Sequence, residues 1–316
     1  FLSSSKPREN QIVNAPTDWN GAKATQITAQ SGAEFFPSLA PDGKSFVYIS
    51  RERGNWDIFW QRIGEKDAVN LTKDSGADDT QPAFSPDGTR IAFRSQREPR
   101  GIYLMEATGE DPRHISDIGY NPAWSPDGRE LVISSDRFTV PQSRSLIPSP
   151  LWIINVETGK KRQFFAGDAV QPSWSPNGKR IAFWALHPGS GRRDIWTISA
   201  NGDAPVQVTN DEALDWNPVW SPDGKFLYFA SNRAGSMNFW RVPVDQTNGK
   251  VLGEVERITT PSTYSQHLSF SQNGKLMAYV HKSETVNLYQ RDWDAAQEKI
   301  GGEEKAITQG SRFVSS

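Results

Sequence analysis

The sequence contains no cysteine and no long apolar run, and each absence excludes a class of protein. Without cysteine there are neither disulfides nor thiolate metal sites, so redox chemistry does not constrain the compartment. No stretch of about 18 apolar residues occurs, and the sequence therefore predicts no membrane span. The formal net charge of −2 argues against a general nucleic-acid binder, whose affinity comes from clustered lysine and arginine.

The beginning of the chain is polar and shows no apolar periodicity. Residues 1–23 are rich in asparagine, serine and lysine, and we interpret them as a flexible linker. The first six residues lack the apolar segment of a signal peptide. We therefore expect the chain to be a mature product or a piece of a longer protein.

A turn sequence, Ser-Pro-Asp-Gly, recurs at intervals of 40 to 50 residues. Its six copies, of which the first, fourth and last are altered, begin at Ala40, Ser85, Ser125, Ser175, Ser221 and Ser271. Proline suits the second position of a β-turn, Asp or Asn the third, and glycine accepts a positive φ. Each copy lies between two apolar runs of strand length, which predicts six β-hairpins.

Two more strand candidates follow each hairpin, so each repeat reads as a unit of four strands. Six such units at a period in the forties predict an all-β, six-bladed β-propeller of four-stranded antiparallel blades. The repeat predicts a single domain over residues 24–316, and either residues 24–28 or residues 305–308 supply the strand that closes the ring. The predicted blades span about residues 35–73, 80–116, 120–166, 170–210, 216–260 and 266–309.

Four of the repeats share a longer pattern, Gln/Asn-Pro-x-Trp-Ser-Pro-Asp-Gly followed by Ile-Ala-Phe. Three of the four continue with Ser-x-Arg, and Asp-Ile-Trp follows further on at residues 194–196. The pattern, with some substitutions, occurs at Gln81–Phe93, Asn121–Ile133, Gln171–Phe183 and Asn217–Phe229. It resembles the WD40-like repeat of the TolB family. Propellers of that family occur in the periplasmic TolB protein, in the extracytoplasmic regions of bacterial kinases and winged-helix regulators, and in tricorn-like or prolyl-oligopeptidase-like peptidases.

The resemblance implies a non-catalytic protein-binding or sensor module, periplasmic or otherwise extracytoplasmic, that forms part of a larger bacterial protein. A kinase, winged-helix or peptidase domain is the expected neighbour, and a protein or peptide the expected partner. Two alternatives stay open, an accessory substrate-gating propeller of a peptidase and a propeller-fold polysaccharide lyase. The chain has no Gly-x-Ser-x-Gly, His-Glu-x-x-His or Walker sequence, so we predict no catalytic residue and no cofactor. Its four histidines occupy unrelated repeat positions, so we predict no metal site.

The residue that begins each first strand differs from repeat to repeat. Because repeats keep their framework and vary where they bind, we consider three aromatic residues as partner-binding candidates: Phe35, Tyr120 and Trp216. Ordinary packing between blades is the alternative. The next repeat position is mostly polar and is suited to satisfying backbone groups near the axis; its residue His267 joins the binding candidates.

Charged loops are predicted on one face of the propeller. The loops between blades carry acids, and those between second and third strands carry arginines, among them Arg97, Arg137, Arg144 and Arg233. These arginines either form a recognition face or pair with Asp57, Asp194 or nearby loop acids. Since the arginine recurs at one repeat position, we favour the structural role for Arg97, Arg137 and Arg233. The longest loop within a blade, Ser135–Pro150, is the best single candidate for an insertion that contacts a partner.

Overall fold

The structure, a computed structural model, consists of β-strands joined by turns and loops. It describes residues 24–28, 32–52, 54–136, 147–187, 189–258, 264–282 and 288–307. Within these ranges every regular element is a strand, as expected from a sequence without a 3.6-residue apolar period. The same ranges contain no helix long and apolar enough to cross a membrane.

Twenty of the strands form five four-stranded antiparallel blades. Blade one contains β1 (Glu34–Leu39), β2 (Ser45–Ser50), β3 (Asp57–Arg62) and β4 (Ala68–Asn70). Blade two contains β5 (Asp79–Phe84), β6 (Arg90–Ser95), β7 (Gly101–Glu106) and β8 (Arg113–Ser116). Blade three contains β9 (Tyr120–Trp124), β10 (Glu130–Ser134), β11 (Leu151–Asn155) and β12 (Lys161–Phe165). Blade four contains β13 (Val170–Trp174), β14 (Arg180–Leu186), β15 (Arg193–Ser199) and β16 (Val206–Gln207). Blade five contains β17 (Asp215–Trp220), β18 (Phe226–Ser231), β19 (Asn238–Pro243) and β20 (Glu256–Arg257).

Four remaining strands form two separate two-stranded sheets. One sheet pairs β21 (Ser265–Phe270) with β22 (Met277–His281). The other pairs β23 (Tyr289–Asp294) with β24 (Lys299–Ala306). The first strands β1, β5, β9, β13, β17 and β21 contact one another in turn, and β21 contacts β1, so they close a ring.

The recurring turn closes five of the six hairpins with the same pair of hydrogen bonds. In blade two, Asp87 Oδ1 accepts from the backbone N of Thr89 at 3.0 Å, and Ser85 Oγ accepts from the backbone N of Arg90 at 2.9 Å. The corresponding bonds recur in four of the other copies, those that begin at Ser125, Ser175, Ser221 and Ser271. All six glycines of the motif have φ between 66° and 74°, a conformation that favours glycine. The predicted six hairpins are thus confirmed by strand pairing.

The hydrophobic core lies between adjacent blades and is contributed mainly by the second and third strands. Ala92 and Ile102 of blade two, for example, pack in one buried cluster with Leu131 and Ile133 of blade three. The middle residues of the second strands of blades one to five are almost completely inaccessible to solvent. Each blade therefore stabilises its neighbour, and the ring holds the first strands in fixed positions.

The prediction of six blades is wrong, because the structure has five. Residues 266–309 were expected to form one four-stranded blade, but β23 does not pair with β22. The physical reason lies in β23, Tyr-Gln-Arg-Asp-Trp-Asp, whose six side chains are all exposed. The third strand of blade five, by contrast, buries Phe239 and Val242, and such burial is what stabilises a central strand.

The ring has six sectors, one for each first strand and the sheet to which it belongs. The sheet β21–β22 occupies the sixth sector, between blade five and blade one. It contacts β1 through both strands, and the backbone N of Gln272 donates to the carbonyl of Pro41 at 3.2 Å. Neither predicted closing strand joins a blade, because residues 24–28 form no strand and β24 pairs with β23. That residues 24–316 form one domain stays a prediction, and the predicted linker 1–23 lies outside the described residues.

One backbone feature recurs near the start of every first strand. A non-glycine residue there has φ between 49° and 55°, and these residues are Phe36, Gln81, Asn121, Gln171, Asn217 and His267. The pairing between first and second strands shifts register at the same place. Left-handed conformations are uncommon for residues other than glycine, and bulges of this kind redirect side chains. The fold thus imposes one backbone shape at six positions and leaves the side chain free to differ.

Candidate functional site

The residues at the beginning of the six first strands lie at one end of the ring that these strands form. They differ in exposure. Three of them are half-buried: Phe35, Thr80 and Tyr120. Three others are buried: Val170, Trp216 and Gln266. Of the three aromatic candidates, Phe35 and Tyr120 therefore have accessible surface, whereas Trp216 is a core residue. Their assignment to a partner-binding site stays a prediction.

Phe35 and Trp216, although 181 positions apart in the sequence, converge on the imidazole of His267. The ring centroids lie 6.1 Å apart for Phe35 and His267 and 5.6 Å apart for Trp216 and His267, both edge to face. Phe36 lies closer still, with its centroid 4.0 Å from that of His267. These contacts join blade five, β21 and blade one into one aromatic cluster.

His267 is buried, and neither of its ring nitrogens has a hydrogen-bond partner in the described chain. Burial lowers the pKa of His267 to about 3, so the ring is neutral at physiological pH. A neutral imidazole still carries one donor and one acceptor. Buried polar groups are nearly always paired, so an imidazole without a hydrogen-bond partner among the described residues marks a candidate site.

Two other polar residues at the repeat position of His267, Gln81 and Asn217, accept from backbone N–H groups of the neighbouring sheet. Gln81 Oε1 accepts from the backbone N of Asn121 in the next blade at 2.8 Å. Asn217 Oδ1 accepts in the same way from the backbone N of Leu268 at 3.3 Å. Gln171 differs, because its Oε1 accepts from the indole N of Trp184 at 2.8 Å within its own blade.

Arg97 and Arg233 each pair with a buried aspartate at the start of the first strand of their own blade. The Arg97 Nη2 to Asp79 Oδ2 distance is 2.6 Å. In blade five, Arg233 Nη2 lies 3.0 and 2.8 Å from the two oxygens of Asp215. Both aspartates are inaccessible to solvent. Both arginines thus form an ion pair within the fold, and the acid in each pair is neither Asp57 nor Asp194.

Aromatic rings complete the surroundings of both arginines. Arg97 lies over Tyr103 and Arg233 over Trp240, with guanidinium-to-centroid distances of 5.1 and 5.3 Å. Burial raises the pKa of Asp215, and the Arg233 charge opposes that shift. Each arginine therefore compensates a buried carboxylate, which leaves its charge largely unavailable to a partner.

The two remaining arginine candidates, Arg137 and Arg144, lie outside the described residues, as does most of the Ser135–Pro150 loop. The ends of the loop are described, and the backbone N of Ser135 donates to the carbonyl of Pro150 at 3.0 Å. The loop therefore begins and ends within one hydrogen-bonded pair, and its role in partner binding stays a prediction.

Tyr120 lies apart from the His267 cluster and contacts an arginine that the sequence analysis did not single out. The guanidinium carbon of Arg94 is 4.8 Å from the centroid of the Tyr120 ring. Arg94 is only 6% exposed. The signal that marks it in the sequence is its repeat position, because the corresponding residues are uncharged: Ile49, Ser134, Trp184, Ala230 and Val280.

Asp194 is a second buried charge that the sequence did not identify as unusual. It is inaccessible to solvent, and neither carboxylate oxygen has a hydrogen-bond partner among the described residues. Its counterpart Asp57 accepts from Asn55 at 2.7 Å and from Asn70 at 2.8 Å. Burial raises the pKa of Asp194 to about 6, and the nearby Arg192 only partly opposes this shift.

Replacing Asp194 with asparagine is expected to stabilise the fold by about 2 kcal/mol at pH 7.5. The folded-state pKa lies above the unfolded value, so stability of the parent falls as pH rises from about 4 through 6. Asp194→Asn removes this loss because the amide does not ionise. Urea unfolding at a series of pH values measures the effect. Asp67→Asn, at an exposed position, serves as the control, and an unchanged pH slope in Asp194→Asn would contradict the prediction.

Five four-stranded antiparallel blades, with the first strands closed into a ring, define a β-propeller. Residues 56–252 match the family model of the tricorn protease N-terminal beta propeller domain. Since the match covers more than half of the chain, the chain belongs to this family. The resemblance in fold to TolB-like propellers is confirmed as well, because the structure of a protein described as putative TolB superposes on this chain.

Three comparisons describe its relatives. The chain is 31% identical to dipeptidyl-peptidase 5 of Porphyromonas gingivalis, over 94% of its own length and 50% of that protein. It superposes with a TM-score of 0.60 on the structure of "putative TolB from Agrobacterium tumefaciens", at 21% identity, covering 79% of this chain and 91% of that one. It superposes with the same TM-score on tricorn protease, at 17% identity, covering 89% of this chain and 27% of that one.

These comparisons differ in what they establish. At such identities the two structural matches show the fold alone. The chain also spans only half of the dipeptidyl-peptidase and about a quarter of tricorn protease. The activity of the complete relatives is therefore not established for this chain.

Proposed function

We propose that this propeller is a non-catalytic recognition module. It binds a peptide or protein at the end of the ring where the first strands begin. The observation that carries the proposal is the His267 cluster, where a buried imidazole has no hydrogen-bond partner in the described chain. Half-buried Phe35 lies edge-on to this ring. An apolar aromatic surface with a few polar groups is the usual character of a recognition site.

The rigidity of the surroundings supports the same function. The six first strands share one backbone conformation at their bulges, and Gln81 and Asn217 bond them across sector boundaries. A preorganised surface loses little conformational entropy on binding. Side chains vary at positions whose backbone is constant, which suits a scaffold that presents a particular set of contacts.

The setting of the module is also part of the proposal. We place it in the extracytoplasmic part of a larger bacterial protein, where it would act as a sensor or docking module. The support is the TolB-like fold, together with the fact that the chain spans half of its dipeptidyl-peptidase relative.

A second candidate function is favoured by the same relative. The 31% identity to dipeptidyl-peptidase 5 over 94% of the chain supports an accessory propeller that admits peptide substrates to a catalytic domain elsewhere in the parent protein. Both functions require peptide recognition by the propeller, and they differ in whether the bound peptide is then hydrolysed or only detected. Attachment of a Gly-x-Ser-x-Gly domain to this chain in the parent sequence would favour the peptidase, and a kinase or winged-helix domain would favour the sensor.

The test is selection of ligands from a displayed random-peptide library, followed by affinity measurement for parent and variant. Phe35→Ala and Tyr120→Ala are each expected to weaken binding about tenfold or more, the usual effect of truncating an interface aromatic. Trp293→Ala, at an exposed residue of the β23–β24 sheet, is the matched control. Trp216 is unsuited to this test because its removal would disturb the core.

Two results would overturn the proposal. One is unchanged peptide affinity in both Phe35→Ala and Tyr120→Ala, provided that each variant melts at the temperature of the parent. The other is turnover of a peptide or polysaccharide by the purified chain itself, which would make it an enzyme and revive the lyase alternative.

A further inference from the structure

Arg94 is a buried cation whose charge is not neutralised by any carboxylate of the described chain. It lies in β6, directly opposite Thr80 of β5. Its Nη1 donates to the carbonyl of Ser95 at 2.7 Å, but its Nε is buried and has no acceptor among the described residues. The Tyr120 ring covers one face of the guanidinium at 4.8 Å.

An uncompensated buried charge is costly, and the same chain avoids that cost elsewhere. Arg97 and Arg233 each have a buried aspartate as partner. Arg180, which is also buried, donates from Nε to Thr197 Oγ1 and from Nη2 to the Thr197 carbonyl. Arg94, alone among these four, has neither an acid nor a second acceptor within the described part of the chain. A negatively charged group from outside the chain would complete its surroundings.

Arg94 lies beside residues that begin two of the first strands. It follows Phe93 in β6, and its cross-strand neighbour Thr80 is half-buried at the start of a first strand. Tyr120, which it contacts, begins the first strand of the next blade. Arg94 therefore lies at the junction of blades two and three, whereas the His267 cluster lies where β21 meets blade one.

We propose that Arg94 anchors a carboxylate-binding subsite between blades two and three, and that the ligand is a peptide bearing a free carboxylate there. The inference deepens the proposed function, on which it rests, by naming the chemical class of the peptide. A planar guanidinium held against an aromatic ring presents its donors in a fixed plane, and this geometry matches a carboxylate. Thr80 adds a hydroxyl from the neighbouring strand.

The carboxylate has two sources, the C-terminus of a peptide or an Asp or Glu side chain. Four N-acetylated tetrapeptide pools distinguish them: a free acid without acidic side chains, an amide with one glutamate, an amide with one aspartate, and an amide without any carboxylate. Binding of each fluorescent pool to the full chain is followed by anisotropy at low ionic strength, where charge interactions are least screened.

We expect at least one carboxylate-bearing pool to bind the parent more tightly than the neutral pool. Arg94→Gln is expected to weaken that pool about 10- to 100-fold and to leave the neutral pool unchanged. Arg100→Gln removes the same charge from an exposed loop of the same blade, where Arg100 pairs with Glu98, and is expected to have little effect. Arg94→Lys retains the positive charge but lacks the planar donor geometry of the guanidinium, so we expect an intermediate loss of affinity for the carboxylate-bearing pool. This variant keeps the test usable if Arg94→Gln does not fold.

The outcomes separate the subsite from the function on which it rests. Equal weakening of acidic and neutral pools by Arg94→Gln would mean that Arg94 only positions Tyr120, and would overturn the subsite. Tight binding of library-selected peptides without any preference for a carboxylate would overturn the subsite and leave the recognition function standing. If the parent binds none of the pools and none of the library peptides, both the subsite and the recognition function are overturned.

Discussion

Replacing Arg233 with alanine is expected to lower the free energy of unfolding by about 4 kcal/mol at neutral pH. The variant leaves Asp215, which is inaccessible to solvent, without the guanidinium that contacts both of its oxygens. Asp211, 3.3 Å from the same guanidinium, also loses its partner. The cost is large because it includes the uncompensated desolvation of a buried carboxylate as well as the lost ion pair.

The pH dependence of this variant tests whether its loss of stability arises from the buried Asp215 carboxylate. Arg233 opposes the rise that burial causes in the pKa of Asp215, so its removal raises that pKa further. Stability of Arg233→Ala is therefore expected to fall as pH rises, relative to the parent, and the difference to shrink in acid, where Asp215 is protonated. Urea unfolding at several pH values, followed by tryptophan fluorescence, measures both effects.

Arg257→Ala is the matched control for Arg233→Ala. The Arg257 guanidinium lies 5.8 Å from the centroid of the same Trp240 ring, but Arg257 is exposed on β20. Its removal is expected to change stability by less than about 0.5 kcal/mol. A loss in Arg233→Ala no larger than in Arg257→Ala would show that stacking on Trp240, rather than the buried pair, is what Arg233 contributes.

Introducing alanine at Gly101 is expected to cost at least about 4 kcal/mol or to prevent folding of blade two. A Cβ at this position would lie 1.7 Å from the carbonyl oxygen of Ser116 and 2.8 Å from Nε2 of His114. The first of these is backbone of β8, so the clash is relieved only if the outer strand moves away from β7.

Gly76→Ala controls for the general effect of removing a glycine. A Cβ at Gly76 would meet nothing within 4 Å, and Gly76 does not have a positive φ in the left-handed range. It is expected to be neutral or slightly stabilising, because alanine reduces the freedom of the unfolded chain. Comparison of the two melting temperatures checks the prediction, which fails if Gly101→Ala melts within a few degrees of Gly76→Ala.

The repeat was readable from the sequence because its chemistry is local. A hydrogen bond between Asp87 and Thr89 spans two residues, and the glycine that ends the turn needs only its own φ. Hence all six hairpins, and the four-stranded antiparallel form of five of the blades, were predicted correctly. The number of blades was not, because counting repeats does not establish whether a third strand such as β23 buries enough apolar surface to join a sheet.

The candidate site was only partly readable for a similar reason. The arginines Arg97 and Arg233 were recognised as a recurring feature, but their acids, Asp79 and Asp215, were grouped with ordinary loop acids. The pairing distance is 18 residues in both blades, a regularity that the sequence contains but that charge alone does not reveal. His267 was named as a candidate without any indication that its ring nitrogens would lack a hydrogen-bond partner among the described residues.

The sequence by itself determined the turns, the strand periodicity and the positions that vary from blade to blade, because these depend on interactions within one repeat. Only the tertiary structure decided which buried polar groups lack a hydrogen-bond partner among the described residues. The surroundings of Arg94 Nε, the Asp194 carboxylate and the His267 ring are set by residues that other strands and other blades bring near them. Only the tertiary structure, likewise, showed that the carbonyl of Ser116 occupies the space beside Gly101. Packing between blades and strands sets these distances, and no local pattern in the chain records them.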